Sequence, residues 1–226
     1  PYIPLAPLLP MTSSKQRKVI FFDFDGTICD PSDLISFVLR RILNEFEYNF
    51  SHDAVKKQGG KKIPDRLLSL GVANHKIGVI VKKFFNAVVL DVSKDTIKLC
   101  CSVEPLRELK EKGYEFVIIS NNERGFIKRA LEVLEIEDLF LDYFGSESFQ
   151  SKDEMIAKLM KKYTLDKDTT YFVGDRFSDV RLSKKVGIQS VAIHNTYSIS
   201  TLKEILSEEP DFMIEDFSGL KEIVLG

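Results

Sequence analysis

Val19-Ile20-Phe21-Phe22-Asp23-Phe24-Asp25-Gly26-Thr27 decides how the chain is read. Four large apolar residues run straight into two carboxylates two positions apart, and then a glycine. A continuous apolar run without alternation suits a parallel strand covered on both faces. Residues i and i+2 of an extended chain share a face, so Asp23 and Asp25 project together from the strand's end. Ligand sites in open α/β sheets lie at the carboxyl ends of strands, and Gly26 permits a sharp turn or a close ligand approach there. Two neighbouring acids repel one another, which calls for a cation. Magnesium, which takes one or two carboxylates together with phosphate oxygens, is the natural candidate. The same residues also fit an Asx-rich turn closing a buried strand, since Asp-Gly is a common turn signal.

Downstream of this stretch, residues 31–102 read as helices. Ser32 or Asp33 can cap a helix in which Leu34, Ile35, Val38, Leu39, Ile42, Leu43 and Phe46 repeat at helical spacing. Gln58-Gly59-Gly60-Lys61-Lys62-Ile63-Pro64 breaks the pattern and marks a loop or helix junction. Helical spacing resumes over Arg66–Leu70 and Ile77–Val89, with no strand-like alternation. From Val103 onward strands and helices alternate. Phe116–Ile119, Leu139–Phe144, Tyr171–Val173, Ser190–Ile193 and Phe212–Ile214 read as strands. Leu106–Lys112, a segment carrying Phe126, Ala130, Leu131 and Leu134, and Lys152–Tyr163 read as helices between them. This order predicts an α/β fold, a doubly wound parallel sheet with a small all-helical domain inserted after the first strand.

Upstream, residues 1–17 carry Pro1, Pro4, Pro7 and Pro10 among apolar residues and then turn basic. A secretory signal has the opposite order, so this segment reads as a leader or tail outside the fold, with Met11 a plausible start. The 226 residues are 44% hydrophobic with a formal net charge of -2, so there is no clustered basic footprint for nucleic acid. No apolar stretch reaches the roughly 20 residues of a membrane span. Cys29, Cys100 and Cys101 lack CxxC spacing and read as unpaired, mostly buried thiols of a reducing compartment, so the expected location is cytoplasmic. His52, His75 and His194 lack ligand spacing.

Three strand ends carry groups suited to a phosphate ester and a cation: Asp23 and Asp25, then Ser120-Asn121, then Gly174-Asp175-Arg176-Phe177-Ser178-Asp179. Lys152 opens a helix between the last two. Phosphoryl transfer needs a nucleophile, cationic neutralisation of the phosphate oxygens and donors to hold them. Taken singly, Ser120-Asn121 also fits a helix N-cap, Lys152 a solvated first-turn lysine, and Arg124 and Arg176 local salt-bridge partners.

The chain resembles the haloacid dehalogenase superfamily phosphatases. Asp23-Phe24-Asp25-Gly26-Thr27 is similar to that family's DxDGT motif, and Ile118-Ile119-Ser120-Asn121 to its second motif, a strand ending in Ser or Thr. Lys152 stands for the lone lysine of the third. Gly174-Asp175-Arg176-Phe177-Ser178-Asp179 matches the fourth, GDxxxD. Many relatives have Lys-Pro where this chain has Lys152-Asp153, with Lys158 a poorer substitute. The insertion falls where the family places its type 1 cap, and Gly59-Gly60-Lys61-Lys62 resembles the specificity loop of phosphoglycolate-phosphatase-like members.

The resemblance implies a Rossmann-like catalytic core over 18–30 and 103–226, and a helical cap over 31–102. It implies a magnesium-dependent phosphatase of small-molecule phosphate monoesters, with Asp23 as nucleophile forming an aspartyl-phosphate and Asp25 as acid and base. Ser120 and Lys152 would serve the phosphoryl group. Gly26, Thr27, Ser120, Asn121, Gly60 and Lys61 would contact the substrate. Asp23, Asp25 through its carbonyl, Asp175 and Asp179 would hold the metal. A sugar-phosphate mutase, a phosphonate hydrolase using Lys61 or Lys62, and a catalytically silent regulatory or interaction protein are the alternatives on the same fold.

Overall fold

The computed structural model describes residues 17–226, so the reading of residues 1–16 as a leader falls outside the described residues. At the centre is β1, Lys18–Phe22, hydrogen-bonded on both sides to parallel strands. Its neighbours are β4, Tyr114–Ile119, and β6, Tyr171–Gly174. With β5 (Phe140–Phe144), β7 (Gln189–Ile193) and β8 (Phe212–Ile214), the order is β5-β4-β1-β6-β7-β8, every pairing parallel. The chain winds outward from β1 in one direction and then in the other, so the crevices beside β1 are the sheet's switch point. The doubly wound parallel sheet expected from the sequence is borne out.

The apolar run of β1 is continuous because both faces are covered. Ile20 and Phe22 join a core with α5 (Glu104–Glu111), α6 (Arg124–Val133) and α10 (Phe217–Leu225). Phe22 meets Phe116, Phe140 and Phe217 edge-on, with centroids 5.6, 6.3 and 5.8 Å away, the arrangement that aromatic quadrupoles favour. Val19 and Phe21 face the other way, onto Met155, Ile156 and Leu159 of α7 (Lys152–Tyr163) and Leu182 of α8 (Phe177–Val186). Alternate residues of one strand thus serve two apolar layers.

Between β1 and β4 lie four helices: α1 (Ser32–Glu45), α2 (His52–Lys56), α3 (Ile63–Ser69) and α4 (Asn74–Leu90). Leu34, Ile35, Val38, Leu39, Ile42 and Leu43 of α1 are buried with Ile63, Leu67, Ile80, Phe84 and Val88, and this interior is continuous with the core beneath the sheet. Two details differ from the sequence reading. α1 is preceded by Pro31 with no side-chain cap, because Asp33 pairs with Lys56 at 2.6 Å while Asp30 accepts from the Ser32 amide at 3.0 Å. A two-stranded antiparallel ribbon, β2 (Cys29–Asp30) with β3 (Lys98–Leu99), also joins the ends of the insertion. Strands two residues long carry no periodicity to read. The short helix α9, Leu202–Leu206, was likewise invisible. Cys29 and Cys100 are buried and Cys101 half-buried, all as free thiols.

Candidate active site

Asp23 follows β1 directly, Ser120 follows β4 and Asp175 follows β6, so three adjacent strands deliver their polar ends to one edge of the sheet. The Asp23 amide donates to Val173 O at 2.9 Å, which ties the residue to the neighbouring strand even past the end of β1. Its Oδ1 accepts from the Phe24 amide at 2.7 Å. Asp23, Asp175 and Asp179 are all buried and can each offer one carboxylate oxygen within 4.8 Å of the others.

One ammonium answers these three acids. Lys152, at the start of α7, places Nζ 2.8 Å from Asp23 Oδ1 and 3.4 Å from Asp179 Oδ1. Burial pulls the lysine down, but Asp23 and Asp179 together outweigh it and leave it raised. Burial also lifts the acids. Asp175 lies well above the usual carboxylate range, with Asp23 and Asp179 adding to the effect. Asp179 is pushed up to about 6 by burial against the opposing pull of Lys152. A single ammonium leaves three buried carboxylates only partly compensated, and an all-oxygen donor set suits a hard divalent cation. The cluster could therefore hold a metal ion.

Asp25 is set apart from this group. Its Oδ1 accepts from Asn122 Nδ2 at 2.6 Å. Burial, and next the charge of Asp23, push its carboxyl up to about 7. Two acids two residues apart thus differ: one is salt-bridged, and the other is held near half-protonation. Asp25 is not among the acids whose carboxylate oxygens converge in the cluster.

The turn after Asp25 needs Gly26, whose φ is +77° and where a Cβ would lie 2.5 Å from Asp175 Oδ2. Thr27 is fully buried and directs Oγ1 at Asp175 Oδ1, 3.5 Å away, so it braces an acid and lines neither of the cavities beside the cluster. Ser120 is buried and its Oγ accepts from the Asn122 amide at 3.1 Å. Asn121 lines a cavity of about 320 Å³ with Asp23, Lys152, Asp179 and Gly60, and its Nδ2 donates to Gly60 O at 3.0 Å. Lys158 lines a separate cavity with Glu147 and Met155, so the cluster's ammonium is Lys152.

Lys61 is a correction. Its ammonium points away from both cavities and bonds Gln58 Oε1 at 2.8 Å and Ser69 Oγ at 3.1 Å on the exposed side. Lys62 reaches the carbonyls of Phe149 and Gln150, each at 3.1 Å. What enters from the insertion instead is Arg66, only 4% exposed. Arg66 stands with Ile63, Leu67 and Leu70 at i, i+3, i+4 and i+7 spacing, so an arginine on an apolar helical face was the signal available in the sequence. Arg176 is no local salt-bridge partner. It crosses to the insertion, lies against Gly60 and donates from Nη1 to Gly59 O at 3.4 Å. Arg124 does pair locally, with Asp142 at 2.8 Å. Asn122 was missed because nothing in Ser120-Asn121-Asn122 says which amide faces Asp25.

The raised carboxyls make stability depend on pH. A carboxyl whose folded pKa exceeds its unfolded value stabilises the fold below the unfolded pKa, and that contribution is lost as pH rises through the folded pKa. For Asp179 at about 6 and Asp25 at about 7, the loss begins at about pH 4, where an unfolded carboxyl ionises, and is nearly complete by about pH 8. Thermal melts of metal-free protein should therefore show lower stability at pH 8 than at pH 5.5, by on the order of 2 to 4 kcal/mol. Added Mg²⁺ should restore much of it at pH 8. A metal-free protein equally stable at both pH values would show that the cluster is neutralised by the protein itself.

A parallel α/β sheet with acids and a lysine gathered at its switch point defines a class of hydrolytic and transfer enzymes rather than one activity. The family is specific. The model of the haloacid dehalogenase-like hydrolases matches residues 20–193, and the chain belongs to that family. A pyrophosphatase PpaX from Oceanobacillus iheyensis is 23% identical over 92% of this chain and 96% of its own length. A phosphoglycolate phosphatase from Vibrio cholerae is 25% identical over 93% and 98%. A haloacid dehalogenase-like hydrolase structure from Streptococcus pneumoniae superposes with a TM-score of 0.77 at 18% identity, covering 92% of this chain and 98% of that one. The resemblance drawn from the four motifs is borne out. Among the described residues no helix is long and apolar enough to cross a membrane.

Proposed function

We propose that the protein is a magnesium-dependent phosphatase that hydrolyses a small phosphate monoester through an aspartyl-phosphate on Asp23. The supporting observation is the division between its two leading acids. Asp23 is ion-paired with Lys152, while Asp25 is raised to about 7 and held by Asn122. Acids whose environments push them apart mark the separate roles of nucleophile and proton donor. Relatives named as phosphatases and pyrophosphatases agree with this reading.

An Asp23 carboxylate oxygen attacks phosphorus, and the bond to the leaving oxygen breaks as Asp25 gives that oxygen its proton. Water then loses a proton to Asp25 and attacks phosphorus, which releases phosphate and restores the Asp23 carboxylate. Lys152 neutralises charge on Asp23 and on the phosphoryl oxygens. The carboxylates of Asp23, Asp175 and Asp179, with the Asp25 carbonyl, fit Mg²⁺, which supplies charge neutralisation for the phosphoryl group when bound. Residues 31–102 act as a cap that shelters the site, and the Gly59-Gly60 turn forms its inner edge. The mutase reading has no observation of its own, and Lys61, turned outward, removes one support from the phosphonate reading.

Release of phosphate from an aryl phosphate tests the proposal. Activity is expected with Mg²⁺ and should vanish in excess EDTA. Full activity in EDTA, or none in any phosphate-release assay with Mg²⁺ present, would overturn it.

A further inference from the structure

A second cavity, of about 430 Å³, opens on the other side of Gly60 and is lined by Asp25, Gly26, Lys56, Gly60, Arg66 and Tyr197 among others. Arg66 is its unusual member. The residue is 4% exposed, and its Nε donates to Lys61 O at 3.0 Å. Among the described residues no carboxylate lies within the 4.0 Å of a salt bridge from its guanidinium. Buried arginines are ordinarily paired, because an uncompensated buried charge is costly. The charges that act on Arg66 are Asp25, which favours its cationic form, and Arg176, which opposes it. Arg176 itself keeps a buried Nε with no hydrogen-bond partner among the described residues. Two guanidiniums thus converge on the turn beside the proton donor, with donors to spare and no protein anion to receive them.

We infer that Arg66 is a specificity-determining residue that receives a second anionic group, carried on the leaving group of the ester. This inference rests on the phosphatase reading. An ester whose phosphoryl group sits at Asp23 presents its leaving oxygen to Asp25, and the rest of the leaving group enters the cavity that Arg66 lines. A guanidinium fork matches a carboxylate or a phosphate in two parallel hydrogen bonds. Both are admitted by the same chemistry. Lys56, also on the cavity wall, is already paired with Asp33 at 2.6 Å, so the unpaired fork of Arg66 is the stronger receiver.

Matched substrates test this. One pair is 2-phosphoglycolate against its uncharged amide, for a carboxylate. The other is ethylene glycol bisphosphate against 2-hydroxyethyl phosphate, for a second phosphate. Wild-type protein with Mg²⁺ should prefer the charged member of one pair in kcat/KM by about 10- to 100-fold, the range expected of a charge-assisted contact, and the favoured pair identifies the anion. In Arg66→Ala that ratio should collapse towards one, mostly through KM. Arg66→Lys should retain part of it. Because the ratio is internal to each variant, a loss of folded protein does not mimic the result. Hydrolysis of both members of each pair at equal rates by wild type, or a ratio that survives in Arg66→Ala, overturns the role of Arg66 while leaving the phosphatase reading standing. No hydrolysis of any ester by wild type overturns both.

Discussion

Asp23→Asn should abolish turnover, lowering kcat by about 10⁴-fold or more on every phosphate ester, as expected when the atom that forms the covalent bond is removed. The amide keeps the side chain's shape and can still accept from the Phe24 amide, as Asp23 does at 2.7 Å. It is a poor nucleophile, and it removes one of the two carboxylates that hold Lys152. Loss of activity by disruption of the fold would show in a melt, whereas loss of the nucleophile would not. Rapid-quench experiments with labelled ester should find acid-precipitable label on wild type and none on the variant. Turnover within tenfold of wild type would show that another group attacks phosphorus.

Asp25→Asn should cost about 10² to 10⁴ in turnover, the usual range for a positioned acid or base, and the size of the loss should depend on the substrate. An alkyl ester leaves as a strongly basic alkoxide and needs the proton. A nitrophenyl ester leaves as a stable anion and needs it much less. The loss should therefore be largest with alkyl esters in the first step. With the nitrophenyl ester, label should accumulate on Asp23, because the second step still needs a base to activate water. Equal losses on both esters without accumulated label would assign Asp25 a structural role. The prediction follows from one contrast in the fold: Asp25 is buried, near the Asp23 charge and held by Asn122, and so carries a proton part of the time at neutral pH.

The parts of this site that could be read from the sequence are those where local pattern and position coincide. β1, β4 and β6 announce themselves because a fully covered strand shows an unbroken apolar run, and the residue that ends the run is fixed at the sheet's edge. Asp23, Ser120 and Asp175 were legible for that reason. Lys152 was legible only as the start of a helix. That it reaches both Asp23 and Asp179 depends on α7 and α8 packing on the same face of the sheet. The insertion misled in the opposite way. Two adjacent lysines in a glycine-rich turn look like substrate ligands, yet both ammoniums have protein acceptors, and the buried cation is Arg66 one turn on. Side-chain direction at a loop is set by what packs behind it, and no periodicity encodes that.

Around the Gly59-Gly60 turn, the insertion meets the loops at the sheet's edge through cationic or amide donors and backbone carbonyls, while its ion pair with the core, Lys94 to Glu135 at 2.7 Å, lies exposed elsewhere. Asn121 meets Gly60 O, Arg176 meets Gly59 O, and Lys62 meets Phe149 O and Gln150 O. None of these is an ion pair, and dissolved salt screens interactions between full charges more than hydrogen bonds to a neutral carbonyl. The proposed capture of substrate by Lys152 and Arg66, in contrast, pairs full charges. Raising ionic strength should therefore increase KM for an anionic ester while amide hydrogen exchange over residues 58–62 stays unchanged. The protein would then lose its grip on substrate in concentrated salt without loosening the turn that edges the site.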